Sequence, residues 1–275
     1  MHPADLHLTT QVVGHGRFLF VSLSHGRADA ALATAIDDLG VDMDNMHEVE
    51  GNPSAEAYKR GCFQLLRAEL ELGQERDLPH ATLALASCLI RLEAASPAPL
   101  LAYAQGLRAL IEPRGGSVET LMGVQRPRSY PSYAMTQFAY VSALPPAPGK
   151  RCPLGVVTPQ QKSADWWAMP WMRRESFFLP RYDDQGQMIA KGHALAAAAG
   201  IPCINRRLYH APDGYGQGGS YDFVGYFEFA EADAPVFRAV MAGLRDVAQN
   251  PEWAYVREGP EWWGRRVGRA VELWV

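Results

Sequence analysis

Apolar and polar positions along the chain recur with two periods, of two and of about 3.6 residues, and the changes between them mark out the elements. Alternation over 16–24 (GRFLFVSLS) predicts a first strand, and 28–39 a helix. An acidic turn with Gly, Asn and Pro follows at 42–53. The stretch 54–72 then places Tyr58, Cys62, Leu65, Leu66 and Leu70 on one helical face, with Ser54 as candidate cap and Glu56 in the first turn. Residues 80–92 hold one or two strands, 97–110 a second helix and 118–124 another strand. The Pro-rich 142–149 (SALPPAPG) is the best linker candidate. Beyond it the order repeats: a strand at 152–158, a helix within 176–200, paired strands at 204–210 and 221–229, a helix over 231–250, and a last strand at 254–257. Strand, helix, strands, helix, strand, twice over, predicts an α+β fold of two ferredoxin-like halves, 1–145 and 146–275.

Composition narrows the partners more than the fold. At 275 residues, 48% hydrophobic and 20% charged, the chain can bury a full core like an ordinary soluble globular protein. A net charge of −4 gives no electrostatic reason to expect nucleic acid or an anionic membrane, and no apolar run approaches membrane-spanning length. The opening MHPADLHLTTQVVGHG lacks a basic region followed by an apolar core, so no secretory signal is expected. Cys62, Cys88, Cys152 and Cys203 have no metal-type spacing, which fits reduced thiols and a cytoplasmic location. The glycine-rich 214–219 (GYGQGG) joins two strands and opens no helix, so it is not a phosphate loop.

Candidate chemistry concentrates in 187–210 (QMIAKGHALAAAAGIPCINRRLYH). It begins as a helix and is stopped by Gly200 and Pro202. On that helix His193 shares a face with Ile189, Ala196 and Ala197, beside Gly192, so the imidazole stands among very small side chains. Such a face leaves room for a flat, bulky ligand, and haem fits; a core histidine on an alanine-rich helix is the plainer alternative. In the following strand Ile204, Arg206, Leu208 and His210 point one way. An arginine flanked by apolar residues on its own face either snorkels to water or meets an anion.

Four segments in chain order, VETLMGVQRPRSY (118–130), KSADWW (162–167), NRRLYH (205–210) and DFVGYFE (222–228), resemble the chlorite dismutase-like haem proteins. These are dimeric α+β barrels of two ferredoxin-like halves, and the resemblance covers roughly 100–267, with His193 thirteen residues before Arg206. It implies haem b as cofactor, with His193 as the proximal ligand of the iron and Arg206 as the distal, catalytic arginine. It further implies Trp166 and Trp167 beside the haem, Tyr130 near the propionates and Arg108 as a basic residue in the same region. Chlorite-degrading members place a Glu against the proximal imidazole. The resemblance puts Gln249 there, a neutral amide that would leave the imidazole less anionic, with Asp246 one turn earlier as a substitute carboxylate. Two stretches depart from the family: the long SFFLPRYDDQG (176–186) before His193 and the long loop APDGYGQGGS (211–220).

The function this implies is conversion of chlorite to chloride and dioxygen, with Arg206 retaining a small anionic species by charge. The family's other activity, coproporphyrin-haem decarboxylation, relies on a tyrosine in the strand before the tryptophan pair, where alignment on Pro159 puts Leu154. Haem-dependent oxidation of an organic substrate and a non-enzymatic haem carrier or sensor are the further readings. A homo-oligomer, by resemblance a pentamer, is expected.

Overall fold

The computed structural model describes residues 12, 14–24, 28–41, 62–69, 81–125, 152–216 and 221–275. The expected acidic turn at 42–53, the linker at 142–149, and Tyr130 lie outside them. In the first half the order is β1 (Gly14–Ser22), α1 (Ala30–Leu39), β2 (Cys62–Ala68), α2 (Ala81–Ala84), β3 (Cys88–Ala94), α3 (Pro97–Ile111) and β4 (Ser117–Gln125). Helix α1 starts where the Asp29 carboxylate accepts the Leu32 N–H, and it buries Leu32, Ala33 and Ile36. In α3, Leu100, Tyr103, Ala104, Leu107 and Ile111 form the buried stripe that the sequence predicts, and Gly115 at φ 73° turns the chain after it.

The helix expected over 54–72 is not what 62–68 form. That stretch is β2, hydrogen-bonded on both sides, to β3 and β11. Phe63 and Leu65 pack under the helices while Leu66 enters the barrel interior, so both faces are buried. A strand buried on both faces reads as a continuous apolar run and mimics a helical stripe.

The second half runs β5 (Leu154–Lys162), α4 (Ala164–Ala168), α5 (Trp171–Ser176), a hairpin of β6 (Arg181–Tyr182) and β7 (Met188–Ala190), and α6 (Gly192–Ala197). Then come β8 (Asn205–His210), β9 (Phe223–Phe229), α7 (Ala234–Arg245), β10 (Val256–Glu258) and β11 (Trp262–Val267). The helix expected over 231–250 ends at Arg245, because Asp246 turns to extended backbone (ψ 98°). Strand β11 was not anticipated: Trp262 and Trp263 are both 1% exposed, on opposite faces, so no alternation betrays them.

Among the described residues nine strands form one antiparallel sheet in the order β10-β5-β11-β2-β3-β1-β4-β8-β9, and β5 also pairs with β9 along Leu154–Gln160. That pairing closes the sheet from β5 round to β9, giving an α+β fold around a barrel-like sheet. Helices α1 and α3 cover one part of its outer surface, α7 another, and a third core of Phe18, Phe20, Leu66, Tyr209, Tyr226 and Trp262 fills the interior. Among the described residues no helix is long and apolar enough to cross a membrane.

The interior also holds a charged network. Arg91 donates to Gln64, Glu93 and Tyr209, and its guanidinium lies 4.3 Å from the Tyr226 ring centre. Tyr226 and Gln64 donate to Glu228, at 2.8 and 3.0 Å. Burial pushes the Glu93 carboxyl up against the pull of Arg91, and burial brings Arg207 down to about 10 against the pull of Glu228 and Tyr226. Removing one partner of such a group leaves a buried charge uncompensated. Arg91→Ala is therefore expected to cost about 3–5 kcal/mol in urea unfolding. The double variant Arg91→Met, Glu93→Leu should recover most of that loss, and a single variant within 1 kcal/mol of wild type would show the network to be dispensable.

Candidate functional site

One cavity lies between the outer face of β5, β8 and β9 and the helices α6 and α7. Its enclosed volume is about 100 Å³, within a wider space of about 830 Å³ that opens to solvent. Thr158, Gln160, Arg206 and Phe227 line it from the sheet; His193, Ala194 and Ala197 face them from α6, and Val240 and Leu244 from α7. The wall is mostly apolar with few polar groups, the usual make-up of a small-molecule site.

Helix α6 begins at Gly192 rather than near Gln187. Met188–Ala190 pair with Arg181 and Tyr182, so Ile189 lies on the hairpin and is half exposed instead of sharing the His193 face. Gly192 sits at φ 65°, and a β-carbon there would meet the Leu179 carbonyl oxygen at 2.4 Å. A helix cannot run through that position. The first N–H groups of α6 go to carbonyls of other segments: Gly192 to Gln249, His193 to Phe177 and Ala194 to Phe178.

The His193 ring stacks on Phe178, with centres 5.5 Å apart and planes at 22°. Its Nδ1 lies 2.8 Å from Glu252 Oε2, and the other carboxylate oxygen accepts from Lys162 Nζ at 2.5 Å. Burial alone would raise the Glu252 carboxyl, but Lys162 and His193 beside it hold it well below the usual carboxylate range. With Nδ1 engaged, Nε2 is the nitrogen left to act as a ligand donor.

The carboxylate against the imidazole is Glu252, not Gln249 or Asp246, where the resemblance places that partner. The sequence pattern continues α7 to Asn250. The helix stops at Arg245, and a tight turn, in which Gln249 N–H donates to the Asp246 carbonyl at 3.0 Å, shifts every later position. Gln249 contributes its carbonyl to Gly192, and Glu252 arrives on a following 3-10 turn, Pro251–Tyr255.

Trp166 and Trp167 support this corner from outside the cavity lining. Lys162 Nζ lies 4.3 Å from the Trp166 ring centre, and Trp166 packs on Phe177 and Tyr255. Trp167 stacks on Tyr215 at 4.6 Å and donates from its indole to Asp222, which is 1% exposed and also accepts the Lys162 N–H at 2.6 Å. Arg206 faces the cavity as strand parity predicts, with Ile204 beside it in the lining. Among the described residues no carboxylate stands within 4 Å of its guanidinium. Arg108 lies elsewhere, on α3, donating to the Val118 carbonyl and the Thr120 hydroxyl at 3.3 and 3.1 Å. Leu154 is buried in the core under α7, not at the cavity. Sequence reasoning missed Glu252, Lys162, Thr158 and Gln160; the position of Lys162 four residues before Trp166 was its available signal for one of them.

No protein-family model matches the chain, and no curated protein matches it. Solved structures do. Chlorite dismutase from Candidatus Nitrospira defluvii in complex with imidazole superposes at TM-score 0.62 with 17% identity, over 98% of this chain and 97% of that one. A tryptophan-to-phenylalanine mutant of that enzyme in complex with cyanide gives the same score and identity, over 100% of this chain and 98% of that one. So does a mutant with an arginine changed to alanine, over 98% and 97%. Across its described residues, this chain has the fold of the chlorite dismutases.

Proposed function

We propose that the chain is a haem b-dependent oxidoreductase that converts chlorite to chloride and dioxygen. The observation that carries the reading is the pairing, across one apolar cavity, of an imidazole anchored on a carboxylate with an arginine that has no carboxylate partner among the described residues. Among the described residues no three His, Cys, Asp or Glu side chains converge on a metal position. A lone imidazole suits a metal whose other ligands come from a prosthetic group, which favours His193 as the axial ligand. Bound haem would supply iron redox chemistry to a substrate anion.

The chain's own groups have separable tasks. Glu252 accepts from His193 Nδ1 and makes the imidazole a stronger donor, while Lys162 keeps Glu252 ionised and aimed. Arg206 presents its guanidinium to the cavity and holds the anion opposite His193. Ala194, Ala197 and Leu244 exclude water, which strengthens that attraction. Trp166 and Trp167 hold Lys162 and Asp222 in place, and Arg108 takes no part in this reading. A decarboxylase is less well supported: β5 turns Thr158 and Gln160 to the cavity, neither of them a tyrosine. Division into ferredoxin-like halves, 1–145 and 146–275, is supported by the strand orders β2-β3-β1-β4 and β8-β9-β5-β11. A homo-oligomer is supported by the exposed Met172, Tyr182, Met188 and Ile189 around the hairpin; the pentamer rests on the resemblance and the cytoplasmic location on the cysteine pattern.

His193→Ala is expected to abolish the Soret band of protein reconstituted with haem while leaving its circular dichroism unchanged; full loading with an unaltered spectrum would remove His193 as ligand. Glu252→Gln takes negative charge from the proximal side, so the haem reduction potential should rise in a spectroelectrochemical titration. Because the Glu252 carboxyl is held low, its contribution is fully present above its unfolded value, roughly 4.3, and is lost as pH falls through its folded value. Wild type should therefore lose stability below that pH more steeply than Glu252→Gln, and parallel curves would discount the interaction.

Arg206→Ala is expected to keep haem but lose hold of the anion. A charge-assisted contact is worth about 1.5–3 kcal/mol, roughly 10- to 150-fold in retention. Dioxygen yield per haem should drop, and a hypochlorite trap should capture product from the variant. No dioxygen from wild type and chlorite would end the chlorite reading; equal yields and trapping in both proteins would make Arg206 structural.

A further inference from the structure

The sheet wall of the cavity carries a hydroxyl that no group among the described residues uses. Thr158 lines the cavity, is 3% exposed, and its Oγ1 has no hydrogen-bond partner. Burying a hydroxyl unpaired opposes folding, and valine would fill the same shape without that cost. A ligand atom is the partner that would account for threonine here.

Register explains how the hydroxyl is kept clear. Thr158 stands opposite Gly225, and Gly225 opposite Leu208. A β-carbon on Gly225 would fall 2.7 Å from Thr158 Oγ1 and 3.1 Å from the Phe227 ring. Gly225 is not among the positive-φ glycines, so its backbone would accept any residue; what it provides is space. Gln160 follows Thr158 into the lining, and Arg206 enters from β8 one row away, opposite Phe227. A guanidinium and a hydroxyl on one wall suit a ligand with more than one acceptor atom.

We propose that Thr158 is a specificity-determining residue of this cavity, donating a hydrogen bond to one oxygen of a small oxyanion whose charge Arg206 holds. The inference rests on the haem and anion reading above. It separates oxyanions, which offer an acceptor to the hydroxyl and a charge to Arg206, from neutral ligands that offer neither.

The test uses haem-loaded wild type, Thr158→Val and Thr158→Ser, with nitrite and imidazole as probes and dissociation constants read from the visible spectrum. Thr158→Val should weaken nitrite by about fivefold to tenfold and leave imidazole within about twofold, and Thr158→Ser should restore nitrite. Before haem is added, Thr158→Val should melt no lower than wild type, whereas a hydroxyl with a structural bond would leave it less stable. Thr158→Ala serves in the same comparison if the valine variant does not fold. Unchanged nitrite affinity, or equal weakening of both probes, overturns the assignment alone. A wild type that takes up no haem overturns the cofactor reading and this inference with it.

Discussion

The register of β5 is the constraint on which the site and the barrel both depend. The strand is paired along Leu154–Gln160 with β9 on one side, and with β11 and then β10 on the other. Its outward residues change in character along the strand. Leu154 and Val156 belong to the core under α7, Thr158 and Gln160 line the cavity, and Lys162 holds Glu252. Its inward residues serve the interior: Val157 packs there, and Gly155 leaves room for Leu66 and the Tyr226 hydroxyl. A slip of one residue would exchange the two sets, placing Lys162 inside the barrel and Val157 in the cavity. Seven consecutive pairs with β9 make that slip costly.

Two buried carboxylates illustrate how differently the fold treats charge. Glu93, inside the barrel, is pushed up by burial even with Arg91 against it. Glu252 is also buried, yet Lys162 and His193 keep it ionised. The first is shared among Arg91, Tyr209 and Gln125 and fixes strands to one another. The second is aimed at one imidazole nitrogen, so its charge is expressed at the cavity rather than spent within the sheet. Asp222 steadies the second region, since it ties the backbone of Lys162, the Trp167 indole and the Gly216 N–H to one point.

What could be read from the sequence was whatever rested on a single clean period. The stripe of α3, the apolar face of α7 and the outward parity of Ile204 and Arg206 have one buried face each and were legible. Strands β2 and β11 bury both faces, which erases alternation, so one reads as a helix and the other gives no strand signal. Glu252 was hidden for another reason. Its place depends on where α7 stops, and a non-glycine residue, Asp246, ends that helix without a strong local signal. Candidate residues separated by regular elements were therefore located, and the one separated by an irregular turn was displaced by three positions from Gln249 to Glu252.

The segment 176–186, which looks from sequence like an added loop over the site, does something more basic. Helix α6 has six residues, too few to fix its own orientation, and no side chain caps its start. Its opening N–H groups are instead taken by the carbonyls of Phe177 and Phe178 from this segment and of Gln249 from the turn after α7. Phe178 then lies against the imidazole, and the close approach of Leu179 forces Gly192 to begin the helix with positive φ. Rotation of α6 about its axis is thereby set from outside. The direction of His193 follows from three backbone anchors and one carboxylate, not from helix propensity. The added length thus works as scaffold for the histidine: a change in it would be felt at Nε2 before it was felt at the cavity mouth.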